Sequence, residues 1–283
     1  METAILINTR DRPSELALLL QSLRTQTFQD FDIFILDDCG GTPLTAHHFF
    51  NCVTSLLRVN HKIFIKRTEF PHGVSKARQE IADWAKDYTY LCRLDDDCIL
   101  EPDYLERLFK VLEQGYDLAS GVTVPCVPTF IREPKYLNGV ANRVILDEDG
   151  NYILNSDDCG MAYTDSVIIP AHHFRSCALY KSEIHKVCNY TPTTLSKHGF
   201  REEQFFSYKI LMAGFKIGVD TGAINYHQMT PSGGERFSNS NELAQFNQQQ
   251  LYEYTKKHKD KLKKLFPQEP KLDLELMKSN NLK

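Results

Sequence analysis

The chain has 283 residues, 42% apolar and 25% charged, with 33 basic and 37 acidic side chains and a net charge of −4. That length fits one large α/β domain or two small ones, with enough apolar surface to bury a core without staples. The balance argues against bulk nucleic-acid binding. No run of about 18 apolar residues reads as a membrane span, and no charged and apolar leader after Met1 reads as a secretory signal.

Ala4 to Asn8 (AILIN) predicts a first strand. Arg10 to Pro13 reads as a turn, with Pro13 suited to a helix's first turn. Leu16, Leu19, Leu20 and Leu23 then follow helical spacing. Phe31 to Leu36 predicts a second strand ending in Asp37-Asp38-Cys39-Gly40-Gly41. A helix over Pro43 to Leu57 and a third strand over Lys62 to Lys66 come next. Val74, Ala77, Ile81, Trp84 and Ala85 mark another helix, and Tyr88 to Leu94 a fourth strand that runs into Asp95-Asp96-Asp97. Pro102 opens a helix through Leu112, and Leu118 to Val124 is a fifth strand. This βαβα order predicts a doubly wound, mostly parallel sheet flanked by helices. Ligands of such sheets bind beyond the carboxyl ends of the strands. The Asp37-Asp38 pair, Gly73 to Arg78 and the acidic triplet should therefore gather at one edge.

The second half is less regular. Pro125 to Asn142 reads as a loop and Arg143 to Asn155 as a hairpin around Asp149-Gly150. Val167 to Ile169 reads as a short strand and Tyr180 to Val187 as a helix. Phe200 to Ala213 is a helix stopped by Gly214, and Phe215 to Val219 a further strand. Thr230 to Asn241 is small and polar, and a helix from Glu242 to Leu265 precedes a polar tail. The eight cysteines include no C-x-x-C pair, which argues against a structural zinc site. Their spacings suggest no disulfide framework, so a reducing, cytoplasmic compartment is the expectation.

Three carboxylates at the end of an apolar strand need compensation. Two of them about 4 Å apart repel by roughly 4 kcal/mol at an effective dielectric near 20. A divalent cation would offset this; the plainer alternative is a solvated acidic turn capping the Pro102 helix.

In order and spacing, ILINTRDRP, LLLQSLRTQTFQDFDIFILDD, HGVSKARQEIA, YLCRLDDDCILEPDYLERL, FREEQFFSYKILMAGFKI and NYH resemble the inverting family-2 glycosyltransferases of the GT-A fold. The resemblance spans roughly Ala4 to Gln228. It implies a Rossmann-like, mostly parallel sheet with a smaller mixed β region and a C-terminal helix. It also implies a glycosyltransferase domain over 1–228, with a nucleotide-binding half at 1–125 and an acceptor half at 126–228. A loop, the C-terminal helix and a tail would then occupy 229–283. The implied activity moves a sugar from a nucleotide-sugar donor, UDP-type first, to a hydroxyl of a glycan or lipid-linked acceptor, with inversion.

The resemblance also assigns residues. A bound Mn²⁺ or Mg²⁺ would neutralise the diphosphate leaving group, and such hard cations take oxygen ligands. Asp97 matches the main metal ligand, and Asp95 the first position of a D-x-D motif facing ribose or metal. Asp96 sits at the variable middle, among the nucleotide-binding residues, and His227 matches a histidine that completes the metal site. Thr9 and Arg10 match the loop laid against the nucleotide, and Asp38 an acidic position that contacts uracil or its equivalent. Arg78 matches the arginine of an A-R-N segment that here ends in Gln79. Glu203 falls where the family has its catalytic aspartate, the base that takes the acceptor's proton, and Glu202 remains the alternative. Each residue also has a structural reading: an N-cap for Asp38, an exposed helix arginine for Arg78, a macrodipole partner for the glutamates and a packing histidine for His227. Arg175, Ser176, Cys177, His172 and His173 fall where relatives line the sugar pocket, without assigned roles.

Two rival readings are a catalytically silent nucleotide- or carbohydrate-binding module and a sugar nucleotidyltransferase. The second should carry a glycine-rich loop where this chain has Asn8-Thr9-Arg10-Asp11. The lysines at 256, 257, 259, 261, 263 and 264 read either as a solvated face or as a peripheral contact with anionic membrane.

Overall fold

A computed structural model describes residues 2–126, 144–146, 152–154, 168–190, 195–230, 233–234 and 240–265. Residues 127–142 of the expected 125–142 loop, the turn of the 143–155 hairpin, most of the polar 230–241 stretch and the tail lie outside the described residues, and Pro125 ends a strand. In chain order the elements are β1 (Thr3–Thr9), α1 (Pro13–Arg24), β2 (Asp32–Asp37), α2 (His48–Leu57), β3 (Ile63–Arg67), α3 (Val74–Trp84), β4 (Tyr90–Asp95), β5 (Cys98–Leu100), α4 (Tyr104–Glu113) and β6 (Leu118–Pro125). They continue with β7 (Val144–Leu146), β8 (Tyr152–Leu154), β9 (Ile168–Pro170), β10 (Ala178–Lys181), α5 (Ser182–Val187), α6 (Glu202–Met212), β11 (Ile217–His227) and α7 (Ser240–Leu265).

The main sheet runs β3-β2-β1-β4-β10-β6-β11-β5, with β9 also on β11. β3, β2, β1 and β4 are parallel, as the βαβα reading expects. β10 lies antiparallel between β4 and β6, β6 and β11 are parallel, and β5 and β9 run antiparallel to β11. β7 and β8 pair antiparallel, as expected of a hairpin.

Alternation along the strands splits the core in two. Ala4, Leu6, Phe34, Leu36 and Leu91 face one side with Ala77 and Ile81 of α3, Phe205 and Phe206 of α6, and Leu251 and Leu262 of α7. Ile5, Ile7, Ile33, Ile35, Cys92 and Leu94 face the other, with the leucines of α1 and Leu105 and Leu108 of α4. The C-terminal helix is therefore part of the same core as the sheet. Among the described residues no helix is long and apolar enough to cross a membrane, and Cys39, Cys52, Cys92, Cys98, Cys126, Cys177 and Cys188 are free thiols.

Four elements differ from expectation. The 43–57 helix is broken into a 3₁₀ turn at Leu44–Ala46 and α2, because His47 between them is extended. Tyr180 and Lys181, expected to open the 180–187 helix, end the strand β10 instead, since β4 and β6 offer it partners on both edges. β5, three residues long, is too short for its apolar run to predict a strand. β11 runs on past Val219 to His227 through an irregularity that shifts its register against β6 between Val219 and Ile224.

Gly121 of β6 sits opposite that irregularity. A Cβ there would collide with the carbonyl oxygen of Ala223 and stand 2.7 Å from the Tyr104 ring. Backbone atoms of a paired strand cannot swing aside, so Gly121→Ala should lower stability by roughly 2–3 kcal/mol, measured by urea unfolding.

Candidate active site

The parallel strands end together. Thr9 pairs with Asp37, and Asn8 with Asp95. Beyond these ends lies a cleft of about 240 Å³. Thr9, Arg10 and Arg12 enter it from the end of β1, Asp38 from β2, and Val74 and Arg78 from α3. Asp95, Asp96 and Asp97 form its floor, and His198, His227 and Gly234 complete the wall. Apart from the two glutamates, every residue singled out for the nucleotide or the metal lines this one cleft.

The triplet is compensated by the chain's own cations, which sequence reasoning did not foresee. Arg12, just before α1, donates from Nη1 to Asp96 Oδ1 (3.0 Å) and Asp97 Oδ2 (3.1 Å). The Thr9 hydroxyl donates to Asp96 Oδ2 at 2.6 Å. Arg78 Nη2 donates to Asp95 Oδ1 at 2.7 Å. Burial pushes the Asp95 carboxyl up to about 6, with Arg93 opposing and Glu203 and Asp97 adding. Burial likewise lifts Asp96 to about 6 against the pull of Arg12. Asp97 goes the other way: burial raises its pKa, but His227, Arg12 and a backbone bond outweigh it and leave the carboxyl below its ordinary value.

Asp97 Oδ1 is buried, with His227 Nε2 3.1 Å away as its partner. A buried carboxylate facing a cleft is the kind of group a hard cation binds. Asp95, Asp97 and Cys98 bring ligand atoms within 4.8 Å of one another. The Cys98 thiol donates to Asn225 Oδ1 and packs in the core. A hydrogen bond with Cys177 and burial both raise its pKa, so it stays protonated. The two carboxylates are therefore the donors that suit a hard cation, with His227 reaching them through Asp97.

Asp38 braces the cleft wall. Its carboxylate accepts from the Thr68 hydroxyl (3.2 Å) and from the backbone N–H groups of His72 (2.8 Å) and Gly73 (3.0 Å). That shapes the turn into α3, where Gly73 takes a φ of +83°. Asp37 is held by Arg67 at 2.8 Å. Arg78 is not an exposed helix arginine: its side chain is 9% accessible, and it joins Asp95 to Glu202.

The second acidic cluster comes from α6. Arg201 is left-handed (φ 75°), and Glu202 N–H closes the turn onto Gly199 O at 3.0 Å. Glu202 and Glu203 thus occupy the helix's first turn, where the macrodipole favours negative charge. Glu202 is buried, its side chain 1% accessible, and meets Arg78 and Arg93. Burial pushes its carboxyl up, with Arg93 pulling it down and Glu203 adding to the rise. Glu203 is 23% accessible and accepts from Arg93 Nη2 at 3.1 Å. The same Arg93 nitrogen lies 3.6 Å from Asp95. The two acidic clusters, distant in sequence, therefore converge. Of the two glutamates, only Glu203 is open enough to meet a substrate.

Nearby, His173 is buried, with Nδ1 at 3.1 Å from Phe174 O. Burial lowers its pKa to about 3, so it is neutral. Arg175 is exposed, and Cys177 is buried beneath the sheet. The residues missed in the sequence are Arg12 and Arg93. Arg93 did carry a signal: a lone arginine inside an apolar strand (YLCRLD) must find buried carboxylates.

Comparison with known proteins bears on this arrangement. The profile of a family described as Glycosyl transferase family 2 matches residues 4–168. An uncharacterized glycosyltransferase of Haemophilus influenzae is 27% identical over 112 residues, which is 40% of this chain and 35% of that protein. The fold is GT-A, shared with two solved glycosyltransferases. One is residues 1–349 of Staphylococcus aureus TarS (TM-score 0.53, 15% identity, 81% of this chain and 60% of that one). The other is GalNAc-T7, crystallised with UDP, GalNAc and Mn²⁺ (TM-score 0.63, 15% identity, 83% of this chain and 44% of that one).

The contrast between the two glutamates predicts different stability effects. Glu202→Gln removes the buried anion shared by Arg78 and Arg93, and should lose roughly 3 kcal/mol. Glu203→Gln should change stability by less than about 1 kcal/mol. Urea unfolding of both variants checks the difference.

Proposed function

The chain belongs to glycosyl transferase family 2, and on that premise we propose that it moves a sugar from a UDP-type donor to a hydroxyl of a glycan or lipid-linked acceptor, with inversion. The observation that carries this reading is the meeting of Asp95 and Glu203 on one guanidinium, at 3.6 and 3.1 Å from Arg93 Nη2. It sets an open carboxylate beside the acidic floor of the cleft, as a displacement between a diphosphate and an incoming alcohol requires. UDP and Mn²⁺ in the GalNAc-T7 crystal, and UDP-GlcNAc in one of TarS, favour a uridine donor.

In this reading residues 1–125 hold the nucleotide and 126–228 the acceptor, with 229–283 forming the C-terminal segment. Thr9, Arg10, Asp38, Arg78 and Asp96 shape the nucleotide end of the cleft. Asp95 and Asp97 hold Mn²⁺ or Mg²⁺, with His227 against Asp97. When bound, the cation supplies Lewis-acid neutralisation of the leaving diphosphate. Glu203 accepts the proton of the attacking hydroxyl. Glu202, enclosed by two arginines, keeps the helix start in place. The exposed Lys256, Lys257, Lys261, Lys263 and Lys264 of α7 form a basic face for an anionic lipid surface. Sedimentation with phosphatidylglycerol vesicles at low salt should show binding that salt abolishes.

A thermal-shift panel of UDP-glucose, UDP-galactose, UDP-GlcNAc, UDP-GalNAc and GDP-mannose, with and without Mn²⁺, tests the donor. One UDP-sugar should raise Tm in the presence of Mn²⁺. Asp97→Asn should lose the Mn²⁺-dependent part of that shift. Hydrolysis of the same donor should fall by about 100-fold or more in Glu203→Gln. NMR of the released sugar, read before mutarotation, should show an inverted anomer. Wild-type turnover from both variants would overturn this site.

A further inference from the structure

We propose that Arg93 is a positioning residue that sets the reactive geometry of Glu203; this rests on the reading of Glu203 as the base. Arg93 lies in the interior of β4 with its side chain 3% accessible. Strand alternation puts it on the same face as Asp95, opposite to Cys92 and Leu94, and so under the start of α6. A guanidinium so deep costs several kcal/mol in lost hydration unless carboxylates meet it. Three do: Glu202 at 2.7 Å, Glu203 at 3.1 Å and Asp95 at 3.6 Å.

The guanidinium is also fixed from the sides. The Phe174 ring lies 5.0 Å from its carbon and the Tyr190 ring 5.7 Å. Stacking of this kind holds a planar cation in one orientation. Its terminal nitrogens reach α6, while buried Nε has no hydrogen-bond partner. The fork is thus aimed at the glutamates.

Glu203 needs such a hold. It is the more exposed glutamate, and the other nearby cation, Arg78 Nη1, is 3.9 Å away and already spans Asp95 and Glu202. Arg93 takes Oε1 of Glu203, which leaves Oε2 to receive the acceptor's proton. Misplacing a reacting group by about 1 Å costs roughly 100-fold in rate. The effect of Arg93 should therefore appear in kcat and pass through Glu203.

The test is a double-mutant cycle on donor hydrolysis with Mn²⁺, using the full chain and whichever sugar nucleotide of the panel the unaltered chain hydrolyses fastest. The variants are Arg93→Met, Arg93→Lys, Glu203→Gln and each pair with Glu203→Gln. We expect Arg93→Met to lower kcat about 100-fold with the donor KM within about threefold. Arg93→Lys should restore part of that loss. In the Glu203→Gln background either change should alter kcat less than about threefold, because the group it positions is gone. Full additivity, or a rise in KM with kcat kept, would overturn the role of Arg93. Wild-type kcat in Glu203→Gln would instead overturn the base reading. Should Arg93→Met fail to fold by circular dichroism, Arg93→Lys, which keeps the buried charge, decides: a wild-type kcat in it sinks the proposal.

Discussion

Everything at this site depends on buried charge at the end of one strand. β4 carries Arg93 and Asp95 on the same face, and Asp96 and Asp97 follow directly. In a medium less polar than water these charges interact strongly, and each is costly to bury alone. The chain compensates with residues from separate elements: Arg12 before α1, Arg78 from α3, Glu202 and Glu203 from α6, and His227 from the end of β11. The result alternates in sign from Asp95 through Arg78 and Glu202 to Arg93 and Glu203. Such a chain need not stabilise the fold more than apolar packing would. What it does is fix where each segment sits, because moving one member leaves a buried charge unmet.

The backbone around the cleft shows the same demand. Asp11, Cys39, Ser176, Arg201 and Met229 all take positive φ without being glycine. Asp11 lies between Arg10 and Arg12, Cys39 follows Asp38, Ser176 precedes β10, Arg201 precedes Glu202 and Met229 comes two residues after His227. Each such residue costs on the order of 1–3 kcal/mol and persists only where its surroundings over-determine it. Gly233 completes the set, since a Cβ there would stand 2.6 Å from Arg12 Cγ. The two apolar layers on either side of the sheet supply the rigidity that holds these turns.

Much of this was legible in the sequence. The parallel half showed as apolar runs separated by helical spacing, because strands buried on both faces leave a continuous signature. The acidic triplet stood out by charge, and the glutamate pair through the resemblance. What sequence could not show was compensation at a distance. The repulsion within the triplet suggested a cation from outside, yet Arg12, Arg78 and Arg93 already offset much of it. The case for a metal now rests on the close approach of Asp95 and Asp97 rather than on the whole triplet. Nor does the sequence show that the Asp38 carboxylate accepts from the turn entering α3. β10 was hidden because its partners, β4 and β6, lie far away in the chain.

The glutamate at 203, where the resemblance would place an aspartate, finds a physical reason in the same network. Its carboxylate reaches back to Arg93 Nη2 at 3.1 Å. An aspartate would be shorter by one carbon–carbon bond, about 1.5 Å, and from the same backbone would fall outside hydrogen-bond distance of that nitrogen. A strand that carries arginine at 93 therefore favours the longer side chain on α6. The lone arginine of an apolar strand and the longer acidic side chain at 203 are two halves of one interaction.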